Sequence, residues 1–192
     1  MSGAEKIAVK VTDIVPLNEL VTRFKFERVD GGLLPTFSGG AHTVVELRDG
    51  AITRLNPYSL MSDPMDQRAY TISVRRDDAG RGGSLFMHNN VRLGDELTIS
   101  YPVNLFSLDL RAKKHLFIAG GIGITPFLAQ IKQLERFNGN WELHYSCRSP
   151  DLGSYVDELT GRHPNEAHIY YDDQKQAIDL VRLLDGQPLG TH

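Results

Sequence analysis

The chain has 192 residues, 41% of them hydrophobic and 23% charged, with a formal net charge of −3. This is the balance of a folded globular protein of one or two domains, and it leaves no basic footprint for nucleic acid. Its one cysteine, Cys147, excludes an internal disulfide or an all-cysteine iron–sulfur cluster within these residues, and its seven histidines lack a metal-ligand spacing such as His-x-x-x-His, so no metal ligands are assigned. No apolar run reaches the ~20 residues needed to cross a bilayer, so no membrane partner is expected. The start, Met1-Ser2-Gly3-Ala4-Glu5-Lys6, has no basic region leading into an apolar one, so a secretory leader is not expected and a cytoplasmic location is.

Taken in order, residues 7–11 and 20–26 alternate in the manner of strands, with Phe24 and Phe26 on one face and Arg23 and Lys25 on the other. Gly31-Gly32 and Gly39-Gly40 punctuate the chain, and Pro35 excludes a central strand through that point. Residues 42–47 form the next strand, closed by an Asp49-Gly50 turn, and strands follow at 58–61, 70–75 and 97–101. Short strands with turn signals between them predict a closed, six-stranded antiparallel β-barrel. The interval 84–91 reads as a short helix capped by Ser84.

From Lys113 the period changes. Residues 115–119 read as a buried strand, and a helix over 125–137 places Phe127, Leu128, Ile131 and Leu134 on one face, opposite Lys132, Gln133, Glu135 and Arg136. Strands at 141–147 and 167–171 alternate with helices at 151–160 and 178–184. Such alternation predicts a parallel sheet with crossover helices, and divides the chain into residues 1–110 and 111–192. Doubly wound nucleotide domains usually carry five or six strands, so this α/β unit reads as partial.

Three stretches carry chemistry. In residues 116–127 an apolar strand runs into Gly120-Gly121-Ile122-Gly123-Ile124-Thr125-Pro126, a turn fit to start a helix beside a phosphorylated ligand. It departs from the Gly-x-Gly-x-x-Gly fingerprint, since Pro126 stands at the last position. Thr125 offers a capping hydroxyl, and Pro126 suits a first helical position because its missing N–H costs nothing there. Gly80-Arg81-Gly82-Gly83-Ser84 reads either as an anion-binding loop before a helix or as a flexible hairpin end. Asn56-Pro57-Tyr58-Ser59-Leu60 is either a functional strand end or simply one core ring beside one solvated hydroxyl.

A barrel carrying Tyr58-Ser59-Leu60, then a glycine-rich helix start at Gly82-Gly83-Ser84, then the Gly120–Pro126 turn, resembles the ferredoxin–NADP reductase superfamily. The likeness is nearest its phthalate dioxygenase reductase-like branch, the FMN-containing reductases of Rieske-type oxygenase systems, and it covers Val9 to His192. The resemblance implies that Tyr58 packs on the flavin ring and that Ser59 lies near its N5 edge. The family's phosphate-binding Arg is replaced by Asn56, with Arg54 or Arg75 as substitutes. It further implies that the backbone of Thr71-Ile72-Ser73-Val74 borders the flavin, that Gly82, Gly83 and Ser84 hold the FMN phosphate, and that FMN is favoured over FAD. On the other side, Gly120, Gly121, Gly123, Ile124, Thr125 and Pro126 would receive a dinucleotide pyrophosphate, with Thr125 near both cofactors. Cys147-Arg148 would border the adenosine half. The branch favours NADH, while Arg148 leaves NADPH open.

The implied activity is a flavin-dependent NAD(P)H oxidoreductase, with Ser59 and Thr125 at the reacting centre. Its electrons would pass to an iron–sulfur domain or a separate ferredoxin-like protein, and on to a terminal oxygenase. The family's Cys-Gly-Pro strand and the cysteines of a plant-type iron–sulfur domain are not in these 192 residues. The sequence expectation is therefore a shortened chain, or one completed by another subunit. Two competing readings are a flavin-binding module without efficient turnover and an apolar-ligand barrel without flavin.

Overall fold

The computed structural model describes residues 5–192; Met1 to Ala4, on which the expectation of no secretory leader partly rests, lie outside the described residues. Strands β1 (Lys6–Pro16), β2 (Val21–Arg28), β3 (Ala41–Asp49), β4 (Ile52–Ser59), β5 (Tyr70–Arg75) and β6 (Glu96–Ser100) form one antiparallel sheet in the order β4-β3-β6-β1-β2-β5. A short β7 (Val103–Asn104) pairs with β3, and helix α1 (Gly83–Asn89) lies between β5 and β6. The alternation read from the sequence sets which side chains turn inward. Ile7, Val9 and Val11 of β1, Phe24 and Phe26 of β2, Val45 and Leu47 of β3, and Tyr70, Ile72 and Val74 of β5 meet in one apolar core.

The sheet curls into a barrel, but its seam is not a ladder. The order ends at β4 and β5, and the two edges are joined where the Met61 N–H donates to the Thr71 carbonyl at 2.9 Å. Pro57 explains the seam: it has no N–H to give, and an edge strand is where a sheet accepts it.

The second half builds a parallel sheet in the order β10-β9-β8, from β8 (His115–Gly120), β9 (Trp141–Cys147) and β10 (Ala167–Tyr171). Thr191 bridges Lys114 in parallel on the other side of β8, and the Leu116 N–H donates to the His192 carbonyl at 2.9 Å. Helix α2 (Thr125–Arg136) lays Phe127, Leu128, Ile131 and Leu134 on this sheet, against Phe117, Leu143 and Tyr145. The helix expected over 151–160 is broken: a 3-10 turn at Pro150–Leu152 is followed by α3 (Val156–Arg162). The breaker is Tyr155, held in the left-handed region at φ 68°. A last helix, α4 (Leu180–Asp185), is capped by the Asp179 carboxylate, which accepts the Arg182 N–H. Among the described residues, no helix is long and apolar enough to cross a membrane.

The polar face of α2 does not meet water alone; it holds loops that flank the antiparallel strands. Gln133 Oε1 accepts the Gly39 N–H at 2.6 Å, Gln130 Nε2 donates to the Phe106 carbonyl at 2.6 Å, and Lys132 Nζ donates to the Met61 carbonyl at 2.9 Å. Arg136 pairs with Asp63. Gly39 and Gly40, read from the sequence as punctuation, are the contact points: a Cβ on Gly39 would stand 2.6 Å from the Gln130 Cα. Gly40, at φ +94°, would bring one within 1.9 Å of the Phe106 carbonyl oxygen.

Candidate cofactor site

The glycine turn follows from how β8 ends. Phe117 and Ala119 face the α2 side, Gly120 closes the strand, and a 3-10 turn over Gly121–Ile124 runs directly into α2. Gly121 takes φ +50°, which a side chain would strain. Gly120 and Gly123 are glycines for another reason. A Cβ at either, as at Gly121, would meet nothing within 4 Å, so the chain keeps a bare backbone facing open space. Pro126 sits in the first turn as expected. Thr125 does not cap the helix: its hydroxyl donates back to the Ile122 carbonyl at 3.0 Å. The reason is the 3-10 turn, which leaves Ile124 already helical at φ −64°, so no extended residue precedes the helix.

In front of this turn lies a cleft of about 370 Å³, within the range of cofactor pockets. Gly120, Gly121 and Ile122 form one wall, Ser146, Arg148 and Asp172 another, and Asn18 and Leu20 of the β1–β2 loop with Val21 of β2 and Arg75 of β5 the third. The turn also packs against β5. Ser146 Oγ donates to Asp172 Oδ1 at 3.0 Å. Cys147, grouped with Arg148 in the sequence expectation, is 2% exposed and belongs to the second core, so only its backbone can border the cleft. Strand period two turns Ser146 and Arg148 to the cleft and Cys147 away from it, and burial pushes its thiol up.

A second cluster forms on β4. Arg54, Asn56 and Tyr58 alternate on its half-buried face, while Leu55 and Pro57 are exposed. Arg54 Nη1 pairs with Asp49 at 2.8 Å, and its Nε donates to the Arg81 carbonyl at 3.1 Å. This brings the Arg81-Gly82-Gly83 loop onto β4. A Cβ on Gly83 would stand 2.3 Å from Asn56 Oδ1. Ser84 does not cap α1: its Oγ accepts the Asp77 N–H at 3.1 Å, and Gly82, at φ 86°, precedes the helix with no side-chain cap. The left-handed glycine takes the cap position two residues earlier than the serine signal predicts. Tyr58 packs against the barrel core, with its hydroxyl oxygen sealed from solvent and without a partner among the described residues. Burial pushes this phenol up to about 12.

The residues expected around a flavin therefore divide by face. Ser59 is half-buried, opposite His42 in the β3 register. Thr71, Ser73 and Arg75 point outward from β5, and Ser73 meets the Tyr155 hydroxyl at 2.6 Å. Leu60, Ile72 and Val74 are core side chains, as Ile124 is in the second core, so only their backbones can border a ligand. Of the two proposed substitutes for the missing Arg, Arg54 lies beside Gly82, its guanidinium 3.3 Å from a Cβ placed there, whereas Arg75 lines the cleft at Gly120. Sequence reasoning passed over Asn18, Tyr155 and Asp172. Asn18 had a turn signal, since its Oδ1 accepts the N–H groups of Leu20 and Val21 as a short Asx turn does; Tyr155 and Asp172 had none.

These features fit a nucleotide on one side and a phosphorylated ring on the other: bare glycine backbone over a cleft, and an orphaned buried phenol beside a left-handed glycine loop. No family model matches the chain. It is 44% identical over 194 residues to the carnitine monooxygenase reductase subunit of Escherichia coli (strain K12), a match that takes in all of this chain and 60% of that one. It is 35% identical over 201 residues to the phthalate 4,5-dioxygenase oxygenase reductase subunit of Pseudomonas putida, covering 100% of this chain and 61% of that one. Among solved structures, phthalate dioxygenase reductase, described as a modular structure for electron transfer from pyridine nucleotides to [2Fe-2S], superposes with a TM-score of 0.91 at 31% identity, over 97% of this chain and 59% of that one. Full-length CYP116B46 from Tepidiphilus thermophilus gives a TM-score of 0.89 at 36% identity, over 97% of this chain and 24% of that one. The chain thus spans about three fifths of the curated relatives it matches. Over that span the chain is related in sequence to these oxygenase reductase subunits and shares the fold of phthalate dioxygenase reductase.

Proposed function

We propose that these residues are the flavin- and NAD(P)H-binding part of an oxygenase reductase, with FMN and NADH as the cofactors. The observation that carries this reading is the cleft in which Gly120, Gly121 and Arg148 of the parallel sheet face Arg75 and Val21 of the antiparallel sheet. A dinucleotide there would lay its pyrophosphate on the bare Gly120–Gly123 backbone and its adenosine half along Arg148. FMN would be held on β4, with its phosphate at Arg54, Asn56, Gly82, Gly83 and Ser84 and its ring at Tyr58 and Ser59. FMN, when bound, supplies the redox chemistry, taking a hydride from NADH and giving up electrons singly. The protein's contribution is orientation: α2 fixes the glycine turn against β5, so that both ligands meet across one boundary. The acceptor would be an iron–sulfur domain or a ferredoxin-like protein, which serves a terminal oxygenase.

Mass spectrometry of the cofactor released from purified protein tests the assignment, with FMN as the expected mass and anaerobic bleaching of the yellow protein by NADH as the expected response. A colourless, folded protein that ignores added FMN would overturn it. A yellow protein that NADH reduces only slowly would favour a flavin-binding module without efficient turnover.

A further inference from the structure

The spacing of the seven histidines along the chain gives no metal-ligand motif. The parallel sheet brings together another set. Glu142 and His144 of β9 share a face by strand period two, and His168 of β10 stands directly opposite His144 in the parallel register. This is the face away from α2, since Leu143 and Tyr145 supply the core. Glu142 Oε1 lies 2.8 Å from His144 Nε2 and 3.5 Å from His168 Nε2, and all three atoms fall within 4.8 Å of one another. The two imidazoles stack, with centroids 4.8 Å apart and planes 27° from parallel, so both direct Nε2 to the same carboxylate oxygen.

We propose that Glu142, His144 and His168 form a binding site for a divalent late first-row transition metal such as Zn²⁺. Ligand atoms around a tetrahedral zinc at ordinary bond lengths stand about 3.3 Å apart, close to the separations from Glu142 Oε1. The surroundings support ligation. His144 Nδ1 is 2.8 Å from the Tyr170 hydroxyl, and a partner on the far nitrogen is what orients a metal-binding imidazole and frees Nε2. Lys114 Nζ donates to Glu142 Oε2 at 2.5 Å, leaving Oε1 as a monodentate ligand while the ammonium charge moderates affinity. His168 is 42% exposed, so solvent can enter from its side and complete the coordination sphere. Two imidazoles and one carboxylate suit zinc, nickel or copper better than calcium or magnesium, which take oxygen ligands. Ser146, next along the same face of β9, lines the cleft, so a bound ion would tie β9 to β10 just beneath it.

The test is a titration of the tag-free, EDTA-treated 192-residue chain with Zn²⁺ by calorimetry and with Co²⁺ by visible absorption. One equivalent should bind, with the Co²⁺ spectrum of a four-coordinate site, and Zn²⁺ should raise the melting temperature. His168→Ala, at an exposed ring, should keep the metal-free melting temperature and lose affinity at least tenfold. Tyr170→Phe should weaken binding by roughly tenfold by loosening the His144 ring. Absence of binding to the unsubstituted chain, or unchanged affinity in His168→Ala, would overturn the site.

Discussion

The Ser73 hydroxyl and the Tyr155 phenol lie 2.6 Å apart, in a hydrogen bond that joins β5 of the antiparallel sheet to the start of α3. Both residues are largely withdrawn from water, and burial pushes the phenol up to about 12. Beside them Asn18 Nδ2 donates to Ser154 Oγ at 3.0 Å, so this corner is polar but satisfied. Tyr155→Phe would leave the Ser73 hydroxyl unpaired at 5% exposure, at a cost of about 1 kcal/mol, or roughly 2–4 °C in melting temperature. A double-mutant cycle with Ser73→Ala should recover most of that as a coupling energy, and additive effects would show that the bond contributes nothing.

Arg54 and Arg75 should fail differently. Arg54 touches the Gly82 loop, and Arg75 lines the cleft at Gly120. Arg54→Ala is expected to lower flavin retention on gel filtration by about tenfold in Kd, the loss of one charge-assisted contact, with little change in dinucleotide affinity. Arg75→Ala should do the reverse. Equal effects of both on both ligands would contradict the separation of the two sites.

Gly123→Ala should leave stability within about 0.5 kcal/mol, because the added methyl meets no atom within 4 Å. Under the proposed function it should nonetheless weaken NADH binding, since the methyl intrudes where the pyrophosphate backbone contact would form. Fluorescence titration with NADH, run beside a urea melt, separates the two effects.

The ion pair between Asp63 and Arg136 gives the contact between loop and helix a pH dependence. Burial pushes the Asp63 carboxyl up, but Arg136 and the Met65 N–H outweigh it and hold it below its ordinary 3.8. A carboxyl depressed in the folded state stabilises above its unfolded value and loses that contribution as pH falls through the folded one. The stability gap between the unsubstituted chain and Asp63→Asn should therefore be full at pH 7 and close below about pH 3.8. A gap that widens on acidification would reverse the assignment.

Much of this was legible because strands and amphipathic helices announce themselves by period. Phe24 with Phe26, and Phe127 with Ile131, turned inward as their spacing requires. Capping was misread at both Ser84 and Thr125, since each follows glycines whose backbone enters the helix early and leaves the hydroxyl to bond elsewhere. The α3 break was invisible because a tyrosine, and not a glycine, holds the left-handed position. The Glu142–His144–His168 cluster was missed for a topological reason: neighbouring strands bring together residues that lie far apart in the chain. Which wall each arginine joins depends likewise on how the loops fold back, and local pattern does not carry that.

The close approach of Gly39 to the backbone of α2 has a consequence for how the molecule comes apart. With no room for even a methyl group there, and with Gln130, Lys132, Gln133 and Arg136 all holding loops of the antiparallel half, neither core can shed its neighbour and keep its own helix seated. The two cores should melt in a single cooperative step. The emission of Trp141, the one tryptophan and a member of the second core, should then change together with the far-ultraviolet signal dominated by the barrel strands.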